Sequence, residues 1–199
     1  YCILPIENSS AGAVSDNYDL LVKHDVYIVA ETELPVSHAL LGLPEASLED
    51  IRTVYSHPQA LMQSSRYLNS HRDWKQISTV NTAVAAKKVA EEKNISQAAV
   101  ASPAAGELYG LKALETSINH NKNNVTRFII LSRIPVYKKG SSKVSICFEG
   151  AHRSGSLYNM LGNLIYNDIN MLMIESRPIP GRSWEYRFFV DAQGSLSDA

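Results

Sequence analysis

Short apolar runs alternate with polar stretches along the chain, and the period of each run predicts an element. Residues 1–6 (YCILPI) read as a strand, and the Ser-, Asn- and Gly-rich residues 7–14 as a loop entering a helix. Helical spacing of Tyr18, Leu21 and Val22 predicts a helix over 16–23. A short β-branched run at 26–29 follows, then a second strand over 33–42 that continues through Ala39, Leu40 and Leu41. Residues 53–55 form a buried strand that breaks at Ser56-His57-Pro58. Pro58, with its fixed φ, suits the first turn of a helix reaching residue 69, with Leu61, Ser65 and Leu68 on one face. A weak strand at 77–80 leads to Asn81-Thr82, which can cap an alanine-rich helix running to about Lys93. A strand at 97–101, a helix from Pro103 to about Tyr109 closed by Gly110, a polar loop at 119–124 and a strand at 126–131 come next. Alternating strands and helices point to α/β architecture.

The pattern changes at residues 135–142, where Lys138, Lys139, Gly140 and two serines form a linker. Beyond it come a strand at 143–148, a helix from about 154 to 167, a strand at 170–175, a loop and a strand at 185–191. That order is β-α-β-β, three-quarters of a ferredoxin-like βαββαβ unit without its last helix and strand. Residue 1 is Tyr and already lies in a strand, and the chain stops soon after another strand. Both ends are therefore expected to be truncations, since a core strand needs partners.

Composition narrows the class of protein. Of 199 residues, 45% are hydrophobic and 20% charged, an ordinary globular balance. Nineteen Lys and Arg stand against 20 Asp and Glu, so no net field favours nucleic acid or an anionic membrane. No apolar run has membrane-spanning length and no signal peptide is visible, which makes a cytoplasmic soluble protein the expectation. Cys2 and Cys147 are far apart and lack metal-ligand spacing, so buried or inert thiols are expected, with no metal.

Three strand ends carry candidate chemistry. Pro5-Ile6-Glu7-Asn8-Ser9 puts polar side chains where a strand leaves the sheet, a common place for ligand groups in α/β proteins; a helix-capping turn is the bland alternative. Ser56-His57-Pro58-Gln59 is a strand-to-helix junction whose exposed N–H groups can hold a carboxylate. His57 by itself is more often structural than basic. Thr126-Arg127-Phe128 opens a strand and, alone, is a surface Thr-Arg pair beside a buried Phe. Together they define an anion-binding cleft and nothing narrower.

These same stretches resemble the signatures of prephenate dehydratases. PIENSSAG is similar to the family's Pro-Ile-Glu-Asn-Ser element, and VYSHPQALMQ to its Ser-His-Pro-Gln element. AAVASPAAGELYGL is similar to its Ala-Ser-x-x-Ala-Ala region, and NNVTRFIIL to its Asn-x-Thr-Arg-Phe signature; all four occur in the family's order. SGSLYNMLGNLIYNDINMLMIESRP resembles the Gly-Ala-Leu helix start and the Glu-Ser-Arg-Pro motif of phenylalanine-binding ACT domains. The resemblance implies a two-lobed, periplasmic-binding-protein-like α/β catalytic domain, partial, over residues 1–134. The linker at 135–142 and a partial ferredoxin-like ACT domain over 143–199 would follow.

The activity implied is decarboxylating dehydration of prephenate to phenylpyruvate in phenylalanine biosynthesis, with allosteric control by phenylalanine and no cofactor. Thr126 matches the favoured proton donor to the departing hydroxyl, and Glu7 and Asn8 match the polar pair that orients substrate. A protonated Glu7 is an alternative acid. Ser56 and Gln63 fall on binding positions; Ser9, His57, Gln59 and Phe128 are motif members, also assigned to substrate binding. Arg127 could neutralise a substrate carboxylate or equally hold its strand by an ion pair. Gly155, Ser156, Leu157, Glu175, Ser176, Arg177 and Pro178 map onto the phenylalanine pocket. Ser156 departs from the family's usual Ala and puts a hydroxyl into an apolar pocket.

The family's catalytic domain begins with a Gly- and Thr-rich segment that has no counterpart here, so this chain alone is expected to lack appreciable dehydratase activity. Pairing of ACT domains leads to the expectation of a homodimer or homotetramer, without nucleic-acid or membrane partners. The competing readings are a non-catalytic anion- or amino-acid-binding paralogue and a purely regulatory module.

Overall fold

The computed structural model describes residues 1–196. In chain order the elements are β1 (Cys2–Asn8), β2 (Gly12–Ala13), α1 (Ser15–Lys23), β3 (Tyr27–Pro35), β4 (Ala39–Gly42) and β5 (Thr53–Ser56). Next come α2 (Pro58–Gln63), α3 (Ser65–Leu68), β6 (Lys75–Ser78), α4 (Thr82–Glu92), β7 (Gln97–Ala101), α5 (Pro103–Tyr109) and β8 (Lys112–Glu115). The chain continues with β9 (Val125–Ser132), β10 (Lys143–Glu149), α6 (Ser156–Tyr166), β11 (Met171–Pro178) and β12 (Tyr186–Gln193). They form two compact units: residues 35–125, and residues 1–34 together with the chain from 126 onward.

The unit of residues 35–125 is built on a five-stranded sheet in the order β6-β5-β7-β4-β8. β5 runs parallel to β6 and β7, while β4 is antiparallel to β7 and β8. Successive side chains of a strand point to opposite faces, and here both faces are buried. Leu41, Tyr55, Ala99 and Ala101 pack with Ala85, Ala86 and Val89 of α4 on one face. Leu40, Val54, Ala98 and Val100 pack with Leu61, Leu68 and Trp74 on the other. This explains the continuous apolar character of these strands. Capping follows the sequence closely: Val84 N–H donates to Asn81 Oδ1 at 2.7 Å and Ala105 N–H to Ser102 Oγ at 3.2 Å. Gly110 closes α5 in the left-handed region at φ 67°.

The other unit contains a four-stranded sheet, β2-β1-β9-β3, and a three-stranded antiparallel sheet, β10-β12-β11. Its core joins Ile6, Tyr18, Ile129, Leu131 and Phe189. The order of the three-stranded sheet places the first and third strands of the βαββ segment side by side, as the ferredoxin-like pattern requires.

Several element expectations are corrected. The helix expected from Pro58 to residue 69 is two short ones that meet at Ser64, whose ψ of 5° interrupts the first. The strand expected over 33–42 is instead the end of β3 and a separate β4, interrupted at residues 36–38. β8, and the strand pair at Gly12–Ala13, had no sequence signal strong enough to mark them. Cys2 and Cys147 are both free and exposed, so of the buried or inert thiols expected the buried alternative does not hold.

Candidate functional site

β1 and β9 run antiparallel, and their register sets Asn8 opposite Thr126 and Glu7 opposite Arg127. Between Pro5 and Glu7 the register shifts, so β1 carries an extra residue there. Such bulges re-aim the side chains beyond them. Directly opposed residues share one face, and Asn8 Nδ2 donates to Thr126 Oγ1 at 3.0 Å. The Asn8 Oδ1 accepts from the backbone N–H of Ser10 and Ala11 at 3.0 and 2.9 Å, an Asx turn that fixes the amide's direction. With its oxygen so occupied, the amide can only donate toward Thr126. Thr126 is half-buried and Ser9 exposed.

Arg127 lies at the centre of a charged cluster. Its Nη2 meets Glu7 at 3.2 Å, and its Nη1 meets Glu31 at 3.2 Å and Asp191 of β12 at 2.6 Å. Ser145 Oγ donates to the other Asp191 oxygen at 2.6 Å, and Lys143 pairs with Glu31 at 2.6 Å. Burial alone would lower the Arg127 pKa. Hydrogen bonds from its guanidinium to Asp191 and Glu31, with the charges of Asp191 and Glu7, overcome that and hold it above its ordinary value. Between the two sequence readings of Arg127, the observed contacts are those of an ion pair holding the strand. Phe128, half-buried, stands opposite Pro5 in the register.

A hollow of about 520 Å³ opens in the same unit over Ile6, Tyr18, Ile129 and Val190, with Arg127 and Asp191 on its polar side. Glu7, Asn8 and Thr126 are not among its lining residues. It therefore does not mark the Asn8–Thr126 pair.

Ser56, His57, Gln59 and Gln63 belong to the other unit. Ser56 is fully buried and its hydroxyl donates to the Val100 carbonyl at 2.6 Å. His57 is the N-cap of α2: its Nδ1 accepts from the Gln59 N–H at 3.2 Å, while the Gln59 side chain is exposed. Gln63 is buried, and its Oε1 meets His38 Nε2 at 2.9 Å and Asn124 Nδ2 at 3.3 Å. In the sequence Asn124 stood only as the first residue of the Asn-x-Thr-Arg-Phe signature, with no role of its own, and His38 carried no signal at all. His38 directly precedes the apolar run Ala39-Leu40-Leu41 and Asn124 ends the polar loop at 119–124, and in neither place does a local pattern reveal a partner 25 or 61 residues away.

The remaining candidates lie around α6 and β11. Gly155 caps α6 at φ 80°, in the left-handed region. Ser156 and Leu157 line a small hollow of about 110 Å³ with Met160, Tyr186 and Phe188. Glu175, Ser176, Arg177 and Pro178 form the end of β11 and do not line that hollow. Arg177 instead grips Asp19 of α1 through two hydrogen bonds, at 3.1 and 2.6 Å. The Arg177 bond lowers the Asp19 pKa below the usual carboxylate range. Among the described residues no helix is long and apolar enough to cross a membrane.

An α/β protein with an amide-held threonine at a strand pairing and a separate buried glutamine network is the class these features define. The sequence matches the family model "Prephenate dehydratase" over residues 1–135. It is 40% identical over 201 residues to the bifunctional chorismate mutase/prephenate dehydratase of Escherichia coli K12, covering 100% of this chain and 52% of that protein. Among solved structures, a prephenate dehydratase from Arthrobacter aurescens in complex with L-Phe aligns with a TM-score of 0.88 at 28% identity, covering 98% of this chain and 66% of that one. A protein described as a novel type of quorum quenching acylase, GqqA, aligns with a TM-score of 0.86 at 34% identity, covering 97% and 71%. The chain belongs to the prephenate dehydratase family. It spans about half the length of the curated relatives it matches.

Proposed function

We propose that the protein to which this chain belongs converts prephenate to phenylpyruvate, with Thr126 as the proton donor. The observation that carries this reading is the hydrogen bond from Asn8 Nδ2 to Thr126 Oγ1. A threonine hydroxyl that accepts from a fixed amide has its own proton left to donate, and the amide stabilises the oxygen as that proton leaves. The ring carboxylate departs as carbon dioxide, and its bonding electrons enter the ring. The C–O bond at the opposite carbon breaks, and the proton from Thr126 converts the leaving hydroxide to water. Thr126 is then reprotonated from solvent, so charge and atoms balance. Aromatisation supplies the drive, and no cofactor enters the scheme.

Glu7 and Asn8 orient the substrate, and Gln63, with its amide nitrogen, binds one of its polar groups. Arg127 holds Glu7 and strand β9 in place and does not bind a carboxylate of the substrate. Residues 1–134 are the catalytic portion, 135–142 the linker, and 143 onward an ACT unit that senses phenylalanine. The βαββ order and the left-handed Gly155 at the start of α6 support that assignment. A homodimer or homotetramer fits the exposed Tyr158, Ile165, Tyr166 and Ile174, which leave apolar surface on α6 and β11. A cytoplasmic setting belongs to the same reading.

Thr126→Ala in the full-length protein tests the assignment. Turnover of prephenate should fall by about 10²- to 10⁴-fold, the usual worth of a positioned acid, while prephenate binding by calorimetry persists. Undiminished turnover would remove Thr126 as the acid. Binding without any turnover in the unsubstituted protein would favour a non-catalytic paralogue.

A further inference from the structure

We infer that His38 is a positioning residue, which fixes the amide of Gln63 so that its N–H₂ group, and not its oxygen, faces the substrate. The inference rests on the reading that Gln63 binds substrate. Gln63 is buried, and its Oε1 takes two contacts, from Asn124 Nδ2 at 3.3 Å and His38 Nε2 at 2.9 Å. The Asn124 amide nitrogen can only donate, so the Gln63 atom facing both neighbours is the carbonyl oxygen. His38 must then donate from Nε2, which selects the tautomer protonated there or the doubly protonated ring. The two hydrogens of Gln63 Nε2 find no acceptor among the described residues, and that nitrogen is not sealed from solvent. An amide whose oxygen is satisfied from behind and whose nitrogen is open presents a pair of donors. That chemistry suits a carboxylate or a carbonyl of a dianionic substrate.

His38 is itself held at both ends of its backbone. Its N–H donates to Asn119 Oδ1 at 3.1 Å, and its carbonyl accepts from Ile118 N–H at 3.0 Å. Asn119 is fastened in turn, its Nδ2 donating to the Asn121 carbonyl at 2.6 Å and the Val36 carbonyl at 3.3 Å. Gln63 has the same kind of anchor, since its carbonyl accepts from His120 N–H at 2.9 Å. The imidazole therefore reaches Gln63 from a rigid base. Without it, one donor remains at Oε1, and the amide can rotate to expose its oxygen to an anion. Like charges then repel where donors attracted.

Two polar replacements of different reach separate positioning from packing. In His38→Gln the side-chain nitrogen can occupy the place of Nε2, whereas in His38→Asn it stops near Nδ1 and falls short of Gln63. Steady-state kinetics of the full-length protein with prephenate should show KM raised about tenfold in His38→Asn, the scale of one lost hydrogen bond, with kcat within about threefold. His38→Gln should stay within about threefold of the unsubstituted protein in both constants. In a Gln63→Ala background, which raises KM by itself, His38→Asn should add less than about twofold, because the group it positioned is gone. Equal defects in His38→Gln and His38→Asn, or effects of His38→Asn and Gln63→Ala that simply multiply, would overturn the proposal. An unchanged KM in Gln63→Ala would instead remove the substrate-binding reading of Gln63 and the proposal with it.

Discussion

Tyr18 packs against Phe189 with ring centroids 4.9 Å apart, and its hydroxyl donates to the thioether of Met173 at 3.9 Å. Burial pushes its pKa up to about 12; the Arg127 charge opposes this, and Asp191, Glu7 and Glu175 reinforce it. In the unfolded chain the phenol titrates near 10. Between these values the unfolded state has lost the proton that the folded state keeps, so the stabilisation is fully present below pH 10 and is lost as pH rises toward 12. Tyr18→Phe should remove this dependence. Urea melts at pH 8 and pH 11.5 should show an alkaline loss smaller by about 2 kcal/mol in the variant than in the parent, and equal losses would sink the idea. Residues with chemical signatures were legible in the sequence: Glu7, Asn8 and Thr126 stood in motifs, and the register joins them. Asp191 was not, since its partner Arg127 lies 64 residues earlier and no local pattern links them.

Elements were legible where a period or a cap wrote them into the chain. α4 begins at its Asn81 cap and α5 ends at Gly110 as their sequences dictate. α2 and α3 read as one helix because Leu61, Ser65 and Leu68 keep helical spacing across Ser64, where the backbone turns out of the helix. β8 was invisible because only Ala113 and Leu114 in it are apolar, and its place is decided by pairing with β4. Gly155 is a position where sequence and element agree on a backbone need. Its φ is 80°, and nothing lies within 4 Å of where a Cβ would stand, so any cost of a side chain there is conformational and not steric. Gly155→Ala should lower stability by about 1 kcal/mol in chemical denaturation, and Gly155→Asn by less, since Asn tolerates the left-handed region. Indifference to both substitutions would mean that the turn is not held at that φ.

At the scale of the whole molecule, the unit made of residues 1–34 and the chain from 126 onward is assembled from segments distant in sequence. Arg127 is the junction among them, since Glu7, Glu31 and Asp191 come from β1, β3 and β12. Sequence periodicity carries no information about such an assembly, because the three carboxylates lie in segments far apart in the chain and no local pattern links any of them to Arg127. The energetics are those of a partly buried cluster: the Arg127 side chain is 12% exposed and that of Asp191 6%, whereas Glu7 and Glu31 remain in contact with water. Truncating one member of a buried pair leaves the other charge without compensation, which costs about 3–5 kcal/mol, while replacing both by apolar groups is often neutral. Arg127→Met should therefore destabilise the full-length protein by about 3 kcal/mol, because Asp191 keeps only the neutral hydroxyl of Ser145 among the partners described above. Adding Asp191→Leu should recover most of that loss in the same denaturation experiment. If the double variant is as unstable as the single one, the cluster stabilises this unit by its charges and not merely by filling the space between β9 and β12.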